Sequence, residues 1–226
     1  PMSLAVVQSV SVGGNAVSSA TTVGINTTTG NLLHASLGYH ISSAFSSFTD
    51  NNSLSWTEIL AETTDGWPVV RLRARYNTNI LGRSGHTFTL TCAAANFLAF
   101  GITEISGQDA TGAFDVGAIA GIGGGTTSTS HNSPAITTTT ANSLLIGMGV
   151  RGVNGGGAEA GAVEASWTER IDRQSDASGV CQILVGSKAA PTAGSYAFDW
   201  TSVDDSDVSG IVAYKEAASG PDSSRT

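Results

Sequence analysis

The segment Asp205–Glu216 sets oxygen-bearing side chains at positions 1, 3, 5 and 12 of a twelve-residue frame, with Gly210 at position 6 and apolar Val212 at position 8. That is the spacing of an EF-hand calcium loop, in which hard oxygen ligands wrap one ion and the glycine makes the sharp turn. Such a loop needs a helix on each side. Here Tyr196–Trp200 reads as a strand and the chain after Glu216 is AASGPDSSRT, so no EF-hand is expected. A looser calcium site on Asp204, Asp205 and Asp207 stays open beside the reading of a solvated acidic turn.

Other residue patterns lead to less chemistry. Ser84 stands two positions before His86 in GRSGH, but no G-x-S-x-G elbow is present, and a strand cannot bring such near neighbours into triad geometry. His34 and His40 are six residues apart, roughly 20 Å along a strand at ~3.3 Å per residue, too far to share a metal. The glycine runs at Gly121–Thr126 and Asn154–Ala162 suggest phosphate cradles, yet neither opens a helix that would hold an anion. No catalytic residue, cofactor or metal ligand set is therefore expected. The one basic cluster, Arg71, Arg73 and Arg75, is a candidate contact for an acidic partner or an anionic glycan, or else a solvated face or an edge that discourages sheet aggregation. A net charge of −8 with only two lysines, Lys188 and Lys215, argues against nucleic acid.

The elements that must position these residues are strands. Lys and Arg together number 10 against 28 Gly, and Ser and Thr dominate the polar residues, so the chain lacks stretches from which surface helices are made. Leu33–Ile41 and Val70–Tyr76 alternate apolar with small or polar side chains, the period of two that half-buries a strand. Similar runs recur from Leu4–Val12 to Ser209–Lys215. Four phrases also recur in order, about 110 residues apart: TTTGNLL at Thr27 with TTTANSLL at Thr138, SWTEI at Ser55 with SWTERI at Ser166, GHTFTL at Gly85 with GSYAFD at Gly194, and FGITEISG at Phe100 with VAYKEAASG at Val212. The expectation is an all-β, antiparallel double-sheet sandwich, jelly-roll-like, built from an internal duplication. Residues 1–220 form one sandwich with pseudo-repeats 1–110 and 111–220, followed by a polar tail at 221–226. In this reading Asn31 and Asn142 make the left-handed turns that lead into the Leu pairs, and Ser209–Glu216 aligns with Phe97–Glu104.

Taken together, T-x-G-N-L-L, D-N-x-x-x-x-W-T-E-I, G-H-T-F-T-L and E-I-S-G resemble a jelly-roll-like β-sandwich of tailed-phage virion proteins and bacterial surface proteins. The resemblance covers nearly the whole chain, including the core tryptophans Trp56 and Trp167, and implies a capsid-decorating, fibre or adhesion role. The expected function is thus a non-enzymatic structural virion protein whose partners are capsid or other virion proteins, present in many copies or as a homo-oligomer. The alternative is a carbohydrate-binding module whose aromatic platform would draw on Trp67, Tyr76 and Trp200. Leu4–Val12 is too short and polar for a secretory core, and no apolar run reaches membrane length, so no membrane partner is expected. Pro1 fits a trimmed initiator methionine and a chain made in the host cytoplasm for the virion. Cys92 and Cys181 fall in apolar strand contexts and are read as buried free thiols, with a bridge as the alternative.

Overall fold

Alternating side chains become strands throughout the computed structural model, which describes residues 3–40, 44–64, 70–122, 130–152, 161–175, 180–202 and 206–217. Among these residues there is no helix, and so none long and apolar enough to cross a membrane. The first part of the chain forms β1 (Ala5–Thr21), β2 (Ile25–Thr27), β3 (Leu32–His40), β4 (Phe45–Asp50), β5 (Thr57–Thr64), β6 (Val70–Asn77), β7 (Arg83–His86) and β8 (Phe88–Ser106). The second part forms β9 (Phe114–Ile122), β10 (Ser130–Asn132), β11 (Ile136–Thr137), β12 (Ser143–Gly152), β13 (Ala162–Val163), β14 (Thr168–Gln174), β15 (Cys181–Ala190), β16 (Ser195–Tyr196), β17 (Asp199–Thr201) and β18 (Ser206–Tyr214).

Each part builds one main antiparallel sheet, ordered β1-β8-β3-β6-β5 in the first and β9-β18-β12-β15-β14 in the second. Smaller pairings lie beside them: β2 with β7 and β4 with β8 in the first, β11 with β16 and β10-β17-β13 in the second. The two main sheets pack face to face. β1 and β8 lie over β14 and β15, while β5 lies over β18 and β9, so the first edge of each sheet sits above the last edge of the other.

Period-two alternation decides what fills the space between them. Leu32 and Leu72 of the first sheet meet Leu144, Ile146, Met148 and Val150 of the second, in a core that draws on both parts of the chain. The opposite faces make two further cores. Leu33, Leu37, Phe88 and Phe100 cluster on the outer side of the first sheet, and Leu145, Trp167, Phe198 and Trp200 on the outer side of the second. Both thiols are free and buried, Cys92 in the first outer core and Cys181 in the shared one.

The recurring turn works differently from the expectation. The left-handed residue lies two positions before the first leucine in both copies, which is Gly30 (φ 89°) before Leu32 and Asn142 (φ 57°) before Leu144. Asn31 therefore corresponds to Ser143, and both are buried. The final strands are also offset from the sequence alignment. Glu104 pairs with Leu33 whereas Ala213 pairs with Leu145, so a count from the leucine pairs sets Ser209 against Phe100, where the recurring phrases set it against Phe97.

Close approach is built in at Gly147, where a Cβ atom would lie 2.1 Å from the fully buried Phe198 ring. Gly147→Ala should lower stability by about 1–3 kcal/mol through overpacking, read in thermal unfolding as a Tm drop of about 2–4 °C per kcal/mol.

Candidate functional site

The arginines of β6 lie opposite the shared core, as alternation requires, but their face is not open water. Arg73 Nη1 and Arg75 Nη2 both donate to Glu58 Oε2, at 2.5 and 3.2 Å, across the β5–β6 pair. Arg73 Nε donates to the Tyr39 hydroxyl at 3.0 Å. The two guanidinium carbons stand 4.6 and 4.9 Å from the centre of the Phe45 ring, within cation–π range. Burial would lower the Arg73 pKa, but Tyr39 and Glu58 outweigh it and the value rises. Arg73 and Arg75, held on Glu58 and over the Phe45 ring, make a fixed, partly covered pair of guanidinium groups. It suits a carboxylate or sulfate better than a flexible lysine patch would, because the forked donors are already oriented.

The calcium frame is taken up by a strand. Ser206–Tyr214 is extended, and at ~3.3 Å per residue Asp207 and Glu216 are far apart, with Glu216 bridged to Gln108 at the other end. Asp207 turns into the interior, where its Oδ2 lies 2.7 Å from Nδ1 of His131. Asp204 and Asp205 lie outside the described residues, as do Trp67, Gly123–Gly125 and Asn154–Gly157. No group of three or more metal-binding side chains occurs among the described residues.

The His131 contact belongs to a constellation that sequence reading missed. Ser202 Oγ stands 2.9 Å from His131 Nε2, giving Ser202, His131 and Asp207 in the chemical order of a hydrolase triad. Two details tell against nucleophilic chemistry. The Asp207 oxygen lies off the direction in which an Nδ1–H would point, so the contact is close without being an aligned hydrogen bond. All three residues are buried, at 6%, 3% and 1% exposure, and the indole of Trp200 lies 4.7 Å from the imidazole. Burial pushes the Asp207 carboxyl up, and His131 pulls it part of the way back. The group ties β10, the end of β17 and β18 together.

A second relay does the same in the first part of the chain. Thr27 Oγ1 lies 3.1 Å from His86 Nδ1, and His86 Nε2 lies 3.2 Å from Asp50 Oδ1. Asp50 also accepts from Asn52 N at 2.7 Å, Leu54 N at 3.2 Å and Trp56 Nε1 at 2.7 Å. Burial would raise its pKa, but these bonds outweigh burial and hold the carboxyl below the usual range. His86 therefore bonds to Asp50 and Thr27, while Ser84 sits in an exposed stretch of β7. The separations of these partners along the chain, 71 residues for His131 and Ser202, leave no local signature.

His34 lies between the two main sheets, with Nδ1 2.7 Å from the Tyr214 hydroxyl and Nε2 2.9 Å from Ser36 Oγ. Burial lowers its pKa from 6.5 to about 3. Of the expected aromatic platform, Trp200 is 2% exposed and donates to Ser209 Oγ, while Tyr76 packs against Phe114 and Tyr214.

No protein-family model matches the chain, and neither a curated protein nor a solved structure matches it.

His34 is held neutral in the fold and gains a proton on unfolding below 6.5, so its contribution is whole above 6.5 and is lost as pH falls towards 3. The loss is about 1.4 kcal/mol per pH unit for one proton. Urea unfolding at stepped pH should give His34→Gln a flatter acid limb than the parent, and an unchanged slope would contradict the burial argument. Asp50→Ala strips the acceptor from buried His86 and three partly buried donors at once and should cost about 3 kcal/mol in the same assay, with Asp50→Asn intermediate.

Proposed function

We propose that this chain is a non-enzymatic structural protein of a virion surface, a capsid-decorating, cement or fibre component that works through protein contacts. Its scaffold is read as a jelly-roll-like sandwich doubled by internal duplication, with pseudo-repeats 1–110 and 111–220. The observation that carries this reading is the repetition. The order first-eighth-third-sixth, with the second strand beside the seventh, is that of a jelly roll, and it fits β1-β8-β3-β6 with β2-β7. It fits the second part equally, once β9 and β10 stand for one strand and β17 and β18 for another. A shared detail supports the correspondence. Thr22 N donates to Phe88 O and its Oγ1 accepts from Phe88 N, and Ser133 makes the same pair of bonds with Phe198.

A doubled scaffold presents related surfaces twice, which suits a chain bound in many copies, where modest contacts add up. The motif resemblance points to phage particles. The buried hydroxyl–imidazole–carboxylate groups serve packing, and the Arg71, Arg73 and Arg75 face is the proposed contact for an acidic partner surface. The carbohydrate-binding alternative has less support, since Trp200 is buried and Tyr76 is partly buried against Phe114 and Tyr214.

The experiment compares the heat and salt stability of particles with and without the protein, and follows retention of the Arg71→Ala, Arg73→Ala, Arg75→Ala variant. The expected result is stabilised particles and at least tenfold weaker retention of the variant, with its own Tm measured in parallel to separate contact from folding. Unchanged particle stability together with tight, specific polysaccharide binding would replace this reading with the carbohydrate-binding one.

A further inference from the structure

Sheets with open edges must guard them or use them. The two main sheets end on β1, β5, β9 and β14, and the four differ sharply. β14 carries Glu169, Arg170, Asp172 and Arg173 within seven residues and has a register break between Glu169 and Ile171. β5 carries Glu58 and is broken twice, between Glu58 and Leu60 and between Leu60 and Thr63. β1 has no charged residue, but it is broken at three points against β8, the first between Val6 and Gln8. Charge, bulge or both thus interrupt each of these edges.

β9 is the exception. From Val116 to Ile122 it has no charged residue and no proline, and it runs in unbroken register with β18, from Val116 opposite Ala213 to Ile122 opposite Asp207. Its single irregularity lies at the Phe114 end. The one acid of the strand, Asp115, is engaged by the backbone N–H of Thr139 at 2.8 Å and by the Thr139 hydroxyl. Among the described residues β9 pairs with β18 alone, and Val116–Gly121 are partly buried, Val116 and Ala118 against the second outer core and Ile119 against the shared one. From Val116 to Ile122 the edge is therefore regular in register, uncharged and mostly small-chained, and its second side pairs with no strand among the described residues.

We propose that β9 is a self-association edge on which a second copy of this chain lays its own β9, antiparallel, about a two-fold axis. Charge selects this occupant. Two bodies of net charge −8 repel each other over most of their surfaces, and along Val116–Ile122 the paired strands themselves would set no charged side chain against its copy. Geometry agrees, since an antiparallel pair of identical strands is its own complement and closes as a dimer, whereas β1 against β9 would run on without closing. The nine residues of β9 span roughly 30 Å, and the pairing would make the two second sheets continuous across the axis. The inference rests on the assembly reading above and names one partner for it, the chain itself.

Sedimentation velocity and light scattering of the full chain test it. The parent should dimerise with concentration, to twice the 22.8 kDa of one chain, and the amides of Val116–Gly121 should exchange more slowly in the dimer. Ala120→Lys, which puts a charge in the middle of the edge, should leave a monomer with the parent's Tm. Val7→Lys, on the 49% exposed Val7 of β1, should still dimerise. A parent that stays monomeric, or a dimer that survives Ala120→Lys or is dissolved by Val7→Lys, overturns the inference. A monomeric chain that still stabilises particles overturns it while leaving the assembly reading standing. A β9 dimer that stabilises no particle leaves the inference standing and sinks that reading.

Discussion

β3 and β12, the middle strands of the two main sheets, have almost no water on either face, and the rest of the molecule follows from that. A strand buried on both sides needs two apolar layers, one for each set of alternating side chains. On the inner side the sheets supply the layer to each other, through Leu32 on one and Ile146, Met148 and Val150 on the other. On the outer side each sheet needs a cover, which is why the short strands and the bent ends of β1 and β8 wrap around. Gly147 and Gly149 give up side-chain volume on β12 so that Phe198 and Trp200 of that cover can seat.

Closing both faces of a broad sheet also encloses polar groups, and each enclosed group has to be satisfied. Glu104, fully buried, accepts from Thr28 N at 2.8 Å, Asn31 Nδ2 at 2.7 Å and Gln8 Nε2 at 2.6 Å, and so fastens the entry of β3 to β1 and β8. The relays of His86 and His131 do the same between cover and sheet. In the second part Ser202, His131 and Asp207 are buried together where the end of β17 meets β10 and β18.

Strand content and the wet or dry face of each strand were legible because alternation is local. Leu72 and Ala74 inward with Arg71 and Arg73 outward could be read from seven residues. What lay beyond reach was distance. Nothing near Arg73 announces Glu58 or the ring of Phe45, because a second strand and a cover have to arrive before that face is half enclosed. The same holds for Ser202 with His131, and for Asp207, whose calcium-like surroundings in sequence straighten into a strand. The recurring phrases fall at similar places in the two sheets, TTTGNLL leading into β3 and TTTANSLL into β12.

The two free thiols sit in different compartments of this architecture, Cys92 beneath the cover of the first sheet and Cys181 between the sheets. Burial raises the pKa of both, so neither presents a reactive thiolate while its compartment is shut. Each thiol is then a clock for one kind of opening. Lifting the cover would start the first without the second, whereas parting of the sheets would start the second. A chain whose two thiols are modified at one common rate breathes only by unfolding as a whole, and one whose rates diverge has a seam.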